Sequence, residues 1–311
     1  MKNHQKSKSG KTNQKFDADT IITNRIIEAL DKGVIPWRRP WRGCDMIPKN
    51  LLTGQEYSGT NIWLLMATCF DNPWWVTFNQ AKELGGTVRK GEHGSWIFRW
   101  LVKEVEQNSE GEEADADEDK PAETRKLFLP KAYTVFNVRQ CDGLSVPSLP
   151  SEAEFNPILA AEQIIEGYKD RPRIDYGFGR AVYYPIGDVI KMPKPTTFDS
   201  PEKFYLTLFH EALHSSGAPS RLNRPIHNRF GTAAYAKEEF IAELGAAVLC
   251  SRCGISTART NEDSIAYCQS WKRRIKSDKT LFRTLSKQAI EGVRYITGAM
   301  SEPTVDDVTI K

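Results

Sequence analysis

The sequence predicts an α+β protein of two domains, an α/β N-terminal half followed by a mainly helical C-terminal half with a small sheet. Three observations lead there. A chain of 311 residues with 40% hydrophobic content is long enough for two ordinary domains with real cores. A stretch rich in Pro and Ser, SVPSLPSEAEFNP at 145–157, separates the halves. Strand-like and helix-like runs alternate before it, whereas helical periodicity dominates after it.

The predicted boundaries are a basic disordered tail over 1–15, a first domain over 16–144, a linker over 145–156, a second domain over 157–298 and a tail over 299–311. In the first domain, Ile21, Ile22, Ile26, Ile27 and Leu30 fall on one face of a helix over 17–32. Asp17 or Asp19 caps it and Gly33 closes it. VIPWRRPWRG then reads as an extended, proline-broken segment, and TGQEYSGTNIWLLMATC as a turn and a helix. PWWVTFNQAKELGGTVRKGEHGSWIFRWLV reads as an exposed aromatic pair, a helix over 77–84, a Gly-Gly stop, a basic turn and a strand over 95–102. KAYTVFNVRQCDGL supplies a second strand, making a hairpin. Its tip is acidic: Glu104 to Glu123 holds ten acidic residues and one lysine, a local balance of −9. Such a block reads as a solvated, disordered insertion. With a net charge of +3 for the whole chain, the remainder carries +12, which favours a polyanionic partner.

In the second domain a helix is expected over 157–170, then two short strands, RIDYG and AVYYPI, followed by DVIKMP. Ser200-Pro201-Glu202 reads as an N-cap, a first-turn proline and an acidic first turn for a helix ending at Ser216. Further helices are expected over Tyr235–Leu249, 265–276 and 279–296. The absence of an 18-residue apolar run excludes a membrane span, and the basic N-terminus lacks the apolar core of a secretory signal. Six dispersed cysteines fit free thiols in a reducing cytoplasm, and Cys250-Ser-Arg-Cys253 has no second pair to complete a metal site.

The helix ending at Ser216 carries His210-Glu211-Ala212-Leu213-His214. Positions i and i+4 share a helix face, so both imidazoles can reach one ion. Glu211 is then placed to act on water as a general base. Zn2+ is the expected ion, and a catalytic zinc needs a third protein ligand and an open position. His227 is one candidate; Glu239 and Glu243, one turn apart on the next helix, are better ones. One of these could ligate the ion while the other holds an imidazole by its second nitrogen. Glu238 reads as an exposed charge, and Tyr235 or His227 as a candidate to stabilise a developing oxyanion.

The first half suggests a different chemistry. Trp37, Trp41, Trp74, Trp75, Trp96 and Trp100 lie among Arg38, Arg39, Arg42, Lys82, Arg89, Lys90 and Arg99. Single-stranded nucleic acid is held by stacking bases on aromatic rings along a positive groove. Trp63, Trp96 and Trp100 are expected in the core; Trp37, Trp41 and one of Trp74 and Trp75 are expected to be exposed.

The chain resembles the ArdC-type antirestriction proteins of conjugative plasmids from about residue 17 to 298. The matching stretches are IIEALDKGVIPWRRPW, LLTGQEYSGTNIWLL, WWVTFNQAKELGGTVRKGEHG, YTVFNVRQCDGL, FHEALHSSG and FGTAAYAKEEFIAELGAAVL. The resemblance implies a single-stranded-DNA-binding domain joined to a zincin-like metallopeptidase domain. It also implies protection of incoming plasmid DNA from restriction during conjugation; the peptidase substrate is not legible in the residues, with a host restriction protein or another protein as the candidate. It extends to the N-terminal parts of some plasmid primases and to proteins delivered with mobile DNA. Within zincins the later helix contributes its first glutamate as ligand, which assigns Glu239 to the zinc and Glu243 to its outer shell. Asp188 lies in another stretch that looks familial, YYPIGDVIKMP. The rival expectation is a single-strand-binding shield or replication accessory with a structural or idle metal site. A priming role would need paired aspartates, for which Asp115 and Asp117 are the nearest pair.

Overall fold

The structure is a computed structural model describing residues 17–38, 46–106, 124–148, 156–226, 229, 231–257 and 261–299. Its first helix, α1 (Ala18–Asp31), begins where Asp17 accepts the Thr20 backbone N–H at 3.0 Å, and the chain leaves it through Gly33 at φ +74°. There follow β1 (Lys49–Asn50), α2 (Thr60–Met66), β2 (Trp74–Thr77) and α3 (Phe78–Glu83). Thr77 and Gln80 close a reciprocal capping box on α3, which is why the helix starts as soon as the strand ends. β3 (Thr87–Val88), β4 (Ser95–Glu106), β5 (Thr124–Asn137) and β6 (Cys141–Asp142) complete the half. The main sheet has the order β1-β2-β5-β4, and β3 pairs with β6.

β4 and β5 form the expected antiparallel hairpin, but both strands run further than the sequence suggested, to a last pair Glu106↔Thr124. The acidic stretch therefore lends its first residues to a strand; 107–123, with Asp115 and Asp117, lie outside the described residues.

The second half opens with α4 (Pro157–Gly167), capped by Asn156. β7 (Arg173–Tyr176), β8 (Val182–Tyr184) and β9 (Val189–Met192) make a small sheet of order β7-β9-β8, leaving β8 at an edge. Four helices follow: α5 (Pro201–Ser216), α6 (Ala233–Arg252), α7 (Asn261–Ser277) and α8 (Leu281–Thr297). Ser200 caps α5 as anticipated, through the Lys203 N–H at 3.3 Å. Among the described residues, no helix is long and apolar enough to cross a membrane.

The halves do not keep separate interiors. One apolar cluster runs from Ile22, Trp37, Trp63 and Phe98 to Leu213, Phe240, Phe282 and Val293. Ion pairs stitch the same seam, Arg283–Asp19 at 2.6 Å and Arg252–Glu56 at 2.5 Å. This common core buries several residues expected at the surface. Trp37 is 1% exposed, with its ring 5.1 Å from Phe240 and 5.9 Å from Phe282. Burial of an indole among aromatics of the other half outweighs the local signal of flanking arginines and prolines.

Trp75 is buried too, packed with Tyr57, Leu65, Ile97 and Val135, while Trp74 is half-buried with Lys49 5.9 Å from its ring. The pair is therefore part of β2, one ring on each face, and not a free aromatic tip. Trp96 errs in the opposite direction: expected in the core, it is 44% exposed, with Arg25 6.0 Å from its ring. Trp63 is buried as expected, and Trp100 is half-buried under Arg283.

Candidate metal centre

α5 packs closely on α6 where the Leu213 side chain meets Gly245, and this sets the site. Leu213, fully buried on α5, fills the space left by Gly245 on α6 and Gly292 on α8. A methyl group at Gly292 would stand 2.7 Å from Leu213 Cδ1, and one at Gly245 would overlap the same side chain. The close approach brings Glu239, one and a half turns before Gly245, onto the histidine face of α5.

Three donor atoms converge there. His210 Nε2 and His214 Nε2 stand 3.1 Å apart, with carboxylate oxygens of Glu239 3.4 Å from the first and 3.6 Å from the second. A tetrahedral zinc with bonds of about 2.0–2.1 Å has edges of roughly 3.3 Å, and the separation between the imidazoles and the shortest one from each to a Glu239 oxygen, Oε2 for His210 and Oε1 for His214, are each near that length. Among the described residues this is the one cluster of His, Cys, Asp or Glu that could hold an ion. Burial would raise the Glu239 carboxyl, but the His210 hydrogen bond, the His214 charge and the Tyr235 hydroxyl hold it down at about 2. The carboxylate is thus ready as an anionic donor. Tyr235 is pushed up to about 12 by burial and by its hydrogen bond to Glu239, so its O–H stays a donor. That contact places it on the Glu239 carboxylate.

The far side of His214 shows a partner the sequence reading missed. Its Nδ1 lies 3.3 Å from Glu238 Oε1, and Glu238 is 6% exposed. The expectation that Glu238 is an exposed charge is therefore overturned. Arg224 makes its burial tolerable, donating from Nη2 to Oε1 at 2.8 Å and from Nε to Oε2 at 3.1 Å. Arg224 also bonds the Leu213 carbonyl at 2.7 Å and Ser216 Oγ at 3.0 Å, at the end of α5. Burial alone would drive the His214 imidazole down, but the hydrogen bond to Glu238 and the charges of Glu211, Glu238 and Glu239 leave it raised. No local pattern announces this chain of contacts, because Arg224 sits in an irregular loop; only the adjacency of Glu238 to Glu239 hinted at it.

Among the described residues Glu243 meets no imidazole. It takes hydrogen bonds from Arg38 Nε at 3.1 Å and Nη2 at 3.0 Å, across the seam between the halves. This single contact corrects two expectations, the outer-shell role of Glu243 and the exposed, DNA-facing role of Arg38. Glu239 and Glu243 do share a stripe of α6, but after one turn that stripe has left the centre and reached the Trp37–Arg38 segment.

Glu211 is buried beside the histidines and accepts the Tyr183 backbone N–H of β8 at 2.7 Å. Asp188, between β8 and β9 at φ +46°, accepts two bonds from Arg221, at 2.9 and 2.7 Å, and one from the Tyr183 hydroxyl at 2.8 Å. It braces the strand beside Glu211. His227, Arg39, Trp41 and Arg42 lie outside the described residues. Arg89 is engaged by Glu92 at 2.9 Å and Asp142 at 3.4 Å, while Lys90 is exposed. Cys250 and Cys253 are buried free thiols, and burial pushes Cys250 up.

A helix bearing two histidines one turn apart, crossed by a glutamate helix and flanked by a small sheet with a free edge, defines a zincin-like metal centre on an α+β scaffold. A family model of zincin-like metallopeptidases matches residues 160–287, and one of the N-terminal domain of the anti-restriction factor ArdC matches 16–136. The metal-free crystal structure of antirestriction ArdC from plasmid R388 is 34% identical, with a TM-score of 0.68 over 90% of this chain and 97% of that one. Its Mn(II)-bound structure is 32% identical, also at 0.68, over 92% and 99%. The uncharacterized protein y4eC of Sinorhizobium fredii is 32% identical over 294 residues, 92% of this chain and 94% of that protein. DNA primase TraC of Escherichia coli is 35% identical over 267 residues, of which the chain spans 25% of that protein's length. The chain belongs to the ArdC antirestriction family, and a metal ion is the cofactor of its zincin-like half.

Proposed function

We propose that this protein binds single-stranded DNA through its N-terminal half and hydrolyses peptide bonds at a zinc centre held by His210, His214 and Glu239, protecting incoming DNA in the recipient cytoplasm. The observation that carries the catalytic reading is the convergence of two imidazole nitrogens and the Glu239 carboxylate, at separations of 3.1–3.6 Å, with a buried carboxylate, Glu211, beside them. When bound, the ion supplies Lewis-acid polarisation and lowers the pKa of water to about 7. Glu211 takes the proton from the attacking water and returns it to the leaving amine. Glu238, fixed by Arg224, accepts the Nδ1–H of His214 and so keeps Nε2 free of a proton and aimed at the centre. Tyr235 orients Glu239 in the same manner. β8 is an edge strand that spends its Tyr183 N–H on Glu211, and the rest of that edge offers an extended peptide a strand to pair with beside the carboxylate.

The DNA-binding reading is supported by the basic balance of the chain outside its acidic segment and by cations set against aromatic rings in the N-terminal half. Arg25 lies against Trp96, Lys82 4.8 Å from the Phe78 ring, and Lys131 5.2 Å from the Tyr133 ring.

Glu211→Gln separates the enzyme from a passive shield. The enzyme reading predicts metal and strand binding at wild-type levels, with loss of both antirestriction protection and a protein fragment found in recipients of the wild type. Full protection by the variant would leave only the shield.

A further inference from the structure

The strands of the hairpin present two faces, and register assigns the side chains to them. Trp96, Phe98, Trp100 and Ala132 share one face, the last three packing toward the common core. The pairs Ile97↔Tyr133, Arg99↔Lys131 and Leu101↔Leu129 share the other. Near Ile97 and Val135 this second face is covered by Tyr57, Leu65 and Trp75. Further along it is open: Leu101 and Leu129 are 39% and 47% exposed, and Lys131 is exposed.

What lies on the open stretch is unfavourable for the protein by itself. Arg99 and Lys131 stand directly opposite each other, a like-charge arrangement that strand pairing disfavours. Neither has a carboxylate partner among the described residues, and Arg99 Nε is buried with no hydrogen-bond acceptor. Lys131 rests against the Tyr133 ring, and the opposed leucines continue the surface. Two cations with no carboxylate partner among the described residues, an aromatic ring and an apolar pair on one sheet face suit a ligand that is anionic along its backbone and flat along its side.

We propose that this face, at Arg99, Leu101, Leu129, Lys131 and Tyr133, is the track on which single-stranded DNA lies. The proposal rests on the DNA-binding reading above and adds the place. Phosphates neutralise the Arg99–Lys131 pair, while bases stack on Tyr133 and cover Leu101 and Leu129. An acidic polypeptide would satisfy the cations but leave the ring and the leucines unused.

The test is fluorescence anisotropy of a labelled oligothymidylate across a potassium chloride series, using the full chain. Arg99→Glu/Lys131→Glu should weaken binding at least about tenfold and lower the log–log salt slope by about 1.4, or 0.7 for each lost phosphate contact. Tyr133→Leu should weaken binding several-fold with the slope unchanged, and the charge-matched control Lys203→Glu/Lys287→Glu, at two exposed lysines of the other half, should bind as the wild type. If charge reversal lowers the melting temperature, Arg99→Gln/Lys131→Gln replaces it, with the same tenfold expectation. Equal binding by wild type and double variant overturns the track and leaves strand binding standing. A wild type that binds no strand removes both. Displacement of the strand by polyglutamate at equal charge concentration marks a generic anion patch and also overturns the proposal.

Discussion

Arg224 holds Glu238 through both carboxylate oxygens, and Glu238 in turn meets the Nδ1 of His214 at 3.3 Å. The contact links a loop after α5 to the imidazole, so the centre depends on a residue that could never touch an ion itself. Glu238→Gln should keep the fold yet weaken metal affinity by roughly 10–100-fold, as losses behind a ligating imidazole do. Calorimetric titration with Zn2+ measures this; wild-type affinity in the variant would show that the contact orients nothing.

Arg224→Met is a different experiment on the same chain of contacts. It leaves the buried Glu238 without its main counter-charge and should cost roughly 3–5 kcal/mol of stability. Urea denaturation of the metal-free protein reads that cost directly. A loss below about 1 kcal/mol would mean that Glu238 reaches water in solution.

Glu243→Gln supplies the contrast. Glu243 meets Arg38 and, among the described residues, no imidazole, so metal affinity should stay within about twofold of wild type, the size of a remote effect. Stability should fall, because the Arg38 side chain is only 7% exposed and would face a neutral amide. An affinity loss matching that of Glu238→Gln would restore the outer-shell role expected from sequence.

Gly245→Ala places a methyl group against Leu213, which is wedged on its other side by Gly292. Overpacking of this kind costs about 1–3 kcal/mol, against a helix-propensity gain of at most about 1 kcal/mol, so the clash wins. Metal affinity should fall with stability, because pushing α6 from α5 carries Glu239 away from the histidines. Thermal melts with and without Zn2+ should therefore show a smaller metal-dependent rise in Tm than in wild type.

Acid should weaken the Asp188–Arg221 brace. The Arg221 hydrogen bonds hold the Asp188 carboxyl below its ordinary value, against an opposing effect of burial. A carboxyl depressed in the folded state contributes stability above its unfolded pKa of about 3.9 and loses it as pH falls through the folded value. Asp188→Asn, which tolerates the positive φ, should be less stable than wild type at pH 7, with the gap closing below about pH 4. A gap that holds constant down to pH 2 would show that the charge of the Asp188 carboxylate is not what braces the strand.

What could be read from the residues is what local geometry fixes. The Ser200 cap, the i, i+4 histidines and the Glu211 between them depend only on helix spacing, and α5 carries them as expected. The hairpin also followed from composition, although pairing carried it further than the acidic charges suggested. The α6 glutamates were harder. Its residues from Phe240 to Ser251 are nearly all buried, so no polar stripe tells one face from another.

The sequence by itself determined the α+β class, the order of elements and the pair of imidazoles, because helix and strand periodicities are properties of neighbours along the chain. Tertiary structure alone decided that Glu238 rather than Glu243 meets His214, that Trp37 is buried and that Trp96 is exposed. Those outcomes depend on the seating of α6 against α5 around Leu213 and Gly245, and on Phe240 and Phe282 closing over a tryptophan some two hundred residues earlier. Burial and ion pairing are relations between distant segments, and no local pattern encodes which segment arrives.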